Sequence, residues 1–91
     1  MKVIKFSLDF RKKLQVIRKR DHKLFRKIQK QLKLFQSNPR HKSLRLHKIT
    51  REVKNVWSIS IDMNMRMLYI DEDEGFYFFA LGSHDEVYKR Q

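Results

Sequence analysis

The sequence predicts an α+β domain, a two-layer sandwich. An N-terminal strand and a helical hairpin pack on a mainly antiparallel sheet, in the order β-α-α-β-β-β with a short C-terminal helical turn. Apolar residues recur at helical spacing through the first 36 residues and at period two afterwards. The single proline, Pro39, stands where the period changes. With 91 residues and two glycines there is little room for long loops or a second unit, so residues 1–91 read as one domain. A chain this size buries roughly 60–65% of its unfolded surface, so its core is modest.

Each element has its own signal. KVIKF (2–6) alternates as a strand with Ile4 and Phe6 on one face. Ser7 then offers a helix N-cap, with Asp9 in the first turn. Phe10, Leu14 and Ile17 form one helical stripe, and Leu24, Ile28, Leu32 and Phe35 form the next. Asp21 sits between them, where a second helix can start. Ser37-Asn38-Pro39 ends the pattern. Beyond it, Leu44 and Leu46 alternate with Arg45 and His47, which predicts a short half-buried strand. VWSISID (56–62) sets Trp57, Ile59 and Ile61 against Ser58, Ser60 and Asp62. Asp62-Met63-Asn64 is a turn into MRMLYI (65–70), which presents Met65, Met67 and Tyr69 on one face and Arg66, Leu68 and Ile70 on the other. An acidic hairpin tip, Asp71 to Gly75, leads to FYFFAL (76–81). That segment is apolar on both faces and is predicted to be central in its sheet.

Composition narrows the function. The 22 Lys and Arg outnumber the 10 Asp and Glu, a net charge of +12. The excess is concentrated in residues 1–36, where 13 basic residues face only Asp9 and Asp21. Such a charge calls for a polyanionic partner: nucleic acid first, an acidic protein segment second, a membrane surface third. No apolar run approaches the ~18 residues of a membrane span, and MKVIKF lacks the apolar core of a signal peptide. With no cysteine there is neither disulfide nor thiolate metal site, which fits a reducing cytoplasm. No glycine-rich phosphate loop, Gly-x-Ser-x-Gly elbow or His-Glu metal-ligand spacing occurs, so neither cofactor nor metal is expected.

What remains is a basic protein with histidines, arginines and tyrosines, a set suited to metal-free RNA cleavage. There the neighbouring 2′-hydroxyl attacks the phosphate. A base takes its proton, an acid protonates the leaving 5′-oxygen, and cations steady the charge on phosphorus. Ser83-His84-Asp85-Glu86 reads as a capping box. It also sets His84 and Tyr88 one turn apart on one face, beside N–H groups that favour an anion. The stretch therefore reads equally as a helix start and as a site, with His84 moving a proton and Tyr88 stacking on a base. Arg66 shares a face with Leu68 and Ile70 and needs an anion there, either Asp62 or Asp85 in a salt bridge or a phosphate. In RHKSLRLHK (40–48), Arg45 and His47 point outward and Lys48 ends the strand. The alternative reading is a charged edge strand that resists aggregation. Trp57 reads as core, and His22 and His41 as surface residues.

These segments taken together resemble a known family. A basic helix pair leads to NPRHKSLRLHKI, then VWSISID, RMLYI, an acidic tip, an aromatic strand and GSHDEVY. This order is similar to the RelE/ParE superfamily of toxins from type II toxin–antitoxin systems, closest to its RelE- and YafQ-like mRNA interferases. The resemblance runs from Met1 to Arg90 and is most specific in GSHDEVY. It implies a compact toxin of the cytoplasm that cleaves mRNA on the ribosome and is neutralised by a cognate acidic antitoxin, with no membrane partner. Carried over by position, it implies an acid/base role for His84, an aromatic role for Tyr88, and phosphate contact for Arg66. It implies binding of the phosphate or attacking hydroxyl by His47 and Lys48. Arg45, Lys54 and Asn64 would add RNA contacts. The second histidine and the aspartate expected on the third-strand hairpin are replaced by Ser60 and Asn64, with Asp62 between them. The alternative within the superfamily is a ParE-like toxin that inhibits DNA gyrase without cleaving RNA.

Overall fold

The computed structural model describes residues 3–49 and 55–89. The first strand, β1 (Val3–Phe6), ends at Ser7, whose Oγ accepts the Phe10 N–H at 3.0 Å and starts α1 (Leu8–Arg20). Asp21 does two jobs. Its own N–H closes α1 on the Ile17 carbonyl at 2.8 Å, and its carboxylate accepts the Leu24 N–H at 3.0 Å to open α2 (His22–Ser37). One residue thus makes the bend between the helices.

The segment after Pro39 departs from expectation. Lys42–Leu44 is a single 3-10 turn, and Arg45 adopts a left-handed conformation with φ 49°. Only His47–Lys48 remain as strand β2. Local hydrogen bonds outcompete the ladder here. His41 Nδ1 accepts the Ser43 N–H at 3.1 Å, and the buried Gln31 amide of α2 donates to the Ser43 carbonyl at 3.3 Å and the Ser60 carbonyl at 2.8 Å. Leu44 is thereby drawn fully into the core.

Three longer strands follow: β3 (Val56–Ser60), β4 (Met65–Asp71) and β5 (Gly75–Ser83), and the chain closes in α3 (His84–Lys89). The sheet order is β1-β5-β4-β3-β2, with every neighbouring pair antiparallel except β1 with β5. The FYFFAL segment therefore lies inside the sheet, as its two apolar faces require. At the tip, Gly75 is obligatory: a Cβ there would stand 2.5 Å from the Val3 carbonyl oxygen, so any side chain would push β1 away.

The helical hairpin covers one face of the sheet. Phe35 of α2 meets Tyr69, Phe76 and Phe78 edge-on at 4.8–5.3 Å, beside Phe10 and Ile28. Each of these buried side chains contributes about 1.5–3 kcal/mol. The second face carries Ile49, Val56 and Leu68 under Val87 of α3. A bulge in β5 sets Leu68 opposite Ala80 but Tyr69 opposite Phe78, so Phe79 is an extra residue. Phe79 and Ala80 both fall on the second face, and Leu81 returns to the first. The extra residue also sets the register in which Gly82 lies opposite Arg66 and Ser83 opposite Met65.

Candidate active site

The second face of the sheet holds a cleft of about 390 Å³ lined by Arg45, Leu46, His47, Arg66, His84 and Tyr88. Three separate parts of the chain supply these residues. Arg45 and Leu46 come from the turn before β2, and His47 begins β2. Arg66 comes from β4, and His84 and Tyr88 from α3. Among the described residues, no carboxylate contributes to the lining.

Arg66 is held by neutral acceptors. Its Nε donates to the Ser58 hydroxyl, and its Nη2 donates to the Arg45 carbonyl at 2.7 Å and the Ser58 carbonyl at 3.3 Å. Among the described residues no carboxylate pairs with it, so the salt bridge to Asp62 or Asp85 is not formed. Asp62 instead serves its own turn, accepting the Asn64 N–H at 2.8 Å and the Met65 N–H at 2.9 Å, and it pairs with Lys27 at 3.3 Å. Burial works against the Asp62 charge. The two backbone N–H groups and Lys27 outweigh it, holding the carboxyl below its ordinary range. Among the described residues, the Arg66 guanidinium at the cleft has neutral hydrogen-bond partners only. The Arg45 carbonyl that it grips belongs to the left-handed residue, a conformation non-glycine residues rarely adopt.

Ser58 is the hub, and alternation alone did not mark it as functional. Fully buried on β3, its Oγ accepts both the Arg66 Nε–H and, at 3.0 Å, the Tyr88 hydroxyl. The only sequence signal is a small polar residue on the same face as Arg66. Tyr88, fixed in this way, meets the His84 ring edge to face with centroids 4.2 Å apart. The imidazole is otherwise exposed, with Asp85 3.8 Å away.

The capping box forms as read. The Ser83 N–H donates to Glu86 Oε1 at 2.9 Å, and Ser83 Oγ accepts the Glu86 N–H at 3.2 Å. With the His84 N–H on the Asn64 carbonyl at 3.2 Å, the helix start does not offer the open cluster of donors expected for an anion. The permanent positive charges in the cleft lining are those of Arg45 and Arg66.

The remaining expected residues lie elsewhere. Lys48 is next to His47, and period two sends it to the other face, where its Nζ stands 5.6 Å from the centroid of the Trp57 ring. Asn64 is exposed at the β3–β4 turn and touches the site only through its carbonyl. Lys54 lies outside the described residues. Trp57 is half-buried against the helical-face core, its indole N–H donating to Asn55 Oδ1 at 2.8 Å. Among the described residues, no three His, Asp or Glu side chains cluster as a metal-ligand set.

No protein-family model matches the chain, and no curated protein sequence matches it. Solved structures do. YafQ from E. coli strain BL21(DE3) superposes with a TM-score of 0.78 at 20% identity, covering 97% of this chain and 99% of that one. A chain of the E. coli DinJ–YafQ toxin–antitoxin complex gives 0.78 at 19%, covering 96% and 97%. YoeB in its Staphylococcus aureus dimer gives 0.72 at 21%, covering 91% and 97%. Across nearly its whole length, the chain has the fold shared by the YafQ and YoeB toxins.

Proposed function

We propose that this protein is the toxin of a type II toxin–antitoxin system and that it cleaves mRNA on the ribosome. One observation carries the reading: two histidines and two arginines share one cleft, with no carboxylate among the described residues of its lining. That set matches cleavage by the RNA's own 2′-hydroxyl. One imidazole accepts the 2′-proton as the oxygen attacks phosphorus. The other donates a proton to the 5′-oxygen as the P–O5′ bond breaks, leaving a 2′,3′-cyclic phosphate. Each such transfer contributes about 10²–10⁴-fold. His84 and His47 take these roles, Arg66 clamps the phosphate with Arg45 beside it, and Tyr88 holds the His84 ring. The mechanism asks no metal of the protein.

The partner follows from charge. Residues 1–36, which include the helical hairpin, carry nearly all of the net positive charge, and beside the hairpin runs a groove of about 1220 Å³ between α2 and the open edge of β1. Ile4, Phe6 and Leu32 give it an apolar floor, and Arg26, Lys30 and Lys33 a basic rim. This suits an acidic antitoxin segment that folds on contact. The antitoxins of the DinJ–YafQ and YoeB–YefM complexes provide the parallel.

The test is cleavage of ribosome-bound mRNA by the wild type and His84→Ala, with the fold checked by circular dichroism. Loss of cut ends in a folded variant is expected. Undiminished cutting would remove His84 from the chemistry. Growth arrest with DNA damage and intact mRNA would point to gyrase instead.

A further inference from the structure

A second cavity, of about 310 Å³, opens on the helical face of the sheet, across β2 from the cleft. Trp57, Tyr69 and Phe76 supply aromatic walls, and Asn38, Arg40 and Asp71 supply polar groups. Its volume lies at the low end of the ligand-pocket range of roughly 300–1,000 Å³. Leu46 lines both this cavity and the cleft, so the two adjoin at that residue.

Tyr69 is the unexplained part of the cavity. The residue is only 3% exposed, yet among the described residues nothing hydrogen-bonds its hydroxyl. A buried phenol without a partner is costly, about 1–3 kcal/mol for an unmade bond. Burial, with Asp71 adding to it, pushes its pKa above the ordinary phenol range, while Arg40 pulls the other way. Tyr69, Arg40 and Asp71 all line this cavity, where the Tyr69 hydroxyl is a neutral donor.

We infer that this cavity is a nucleobase subsite, taking the base of the nucleotide next to the phosphate bound in the cleft. Three aromatic walls suit a flat heterocycle, and base–aromatic stacking is worth about 1–3 kcal/mol per base. The Tyr69 hydroxyl donates to a ring nitrogen or carbonyl oxygen of that base. The phosphates stay outside, where Arg40 in the lining and Lys48 beside Trp57 receive them. The base pocket stands on its own geometry. Its place beside a scissile phosphate rests on the ribonuclease reading of the cleft.

Trp57 is the chain's only tryptophan, so its fluorescence reports on the cavity directly. Titration of the full-length protein with AMP and with UMP should change the emission saturably, and ribose 5-phosphate, which lacks the ring, should not. Tyr69→Phe keeps the ring contacts to Phe35, Phe76 and Phe78 and should weaken nucleotide binding about twofold to tenfold, the value of one hydrogen bond. Equal responses to ribose 5-phosphate and nucleotides, no response to nucleotides, or unchanged affinity in Tyr69→Phe would each overturn the inference. His84→Ala separates it from the ribonuclease reading. A saturable nucleotide response alongside undiminished cutting by His84→Ala keeps the pocket and sinks the cleft assignment. Cutting abolished by His84→Ala without any nucleotide response does the reverse.

Discussion

The His84 imidazole and the Tyr88 ring meet edge to face at 4.2 Å, and the Tyr88 hydroxyl is tied to Ser58 in the middle of the sheet. An exposed histidine on a six-residue helix has little else to fix its ring. The tyrosine transfers the rigidity of β3 to the imidazole.

Tyr88→Ala should therefore slow cleavage without unfolding the protein. An edge-to-face aromatic contact is worth about 0.5–1.5 kcal/mol, which corresponds to a loss of up to about tenfold in kcat. Tyr88→Phe keeps the ring and loses only the tether, so its loss should be smaller. Single-turnover cleavage of the two variants checks the order. Equal losses would mean that the hydroxyl, rather than the ring contact, matters to the reaction.

Ser58→Ala should cost more than its size suggests. It removes the acceptor of both Arg66 Nε and the Tyr88 hydroxyl, leaving a charged donor without a partner in a part-buried position. The expected loss is about 1–3 kcal/mol of unfolding free energy, read from urea melts, together with weaker binding of a short RNA. Ser58→Thr keeps the oxygen and is the control for size. A Ser58→Ala variant as stable as the wild type would show that water replaces the hydroxyl without penalty.

Asp62 gives the protein a pH dependence with a definite sign. Its folded-state carboxyl lies below the ordinary value of 3.8, so it binds protons less readily folded than unfolded. The stability it supplies is complete above that value and is lost as pH falls through the lower folded value. Asp62→Ala should lower stability at neutral pH by about 1–2 kcal/mol, by loss of the turn bonds to Asn64 and Met65. The gap between variant and wild type should narrow in melts recorded below the ordinary carboxyl value and close as pH falls through the lower folded value. A gap that is constant with pH would assign the effect to packing instead.

The legible parts of the fold were those where one local signal dominates. Ser7 and Asp21 cap as read because a short polar side chain before an apolar stripe has one good use. The β4 and β5 faces followed period two up to the bulge at Phe79, which no composition rule marks. The turn at Lys42–Leu44 was hidden for a different reason. Beside its local bonds, the turn is held by Gln31 in α2 and so depends on a tertiary contact. In the cleft, His84, Tyr88 and Arg66 were visible as polar residues out of place. Ser58 was not, because a serine alternating with apolar residues looks like any solvent-facing strand position until its partners are known.

His47 and Lys48 make the last test, because adjacent residues on a strand point to opposite faces. His47 lines the cleft with His84, while Lys48 lies over Trp57 on the other side of the sheet. His47→Ala should therefore lower kcat by about 10²-fold or more, as expected for a lost acid or base. Its pH–rate profile should also lose one limb. Lys48→Ala removes a cation from the RNA's outer path and should raise KM severalfold, with kcat nearly unchanged and a shallower salt dependence. Both constants for each variant, measured on one ribosome-bound message, decide the matter. If Lys48→Ala lowers kcat as steeply as His47→Ala does, the ammonium reaches the reacting phosphate, and β2 must twist on binding RNA to bring it there.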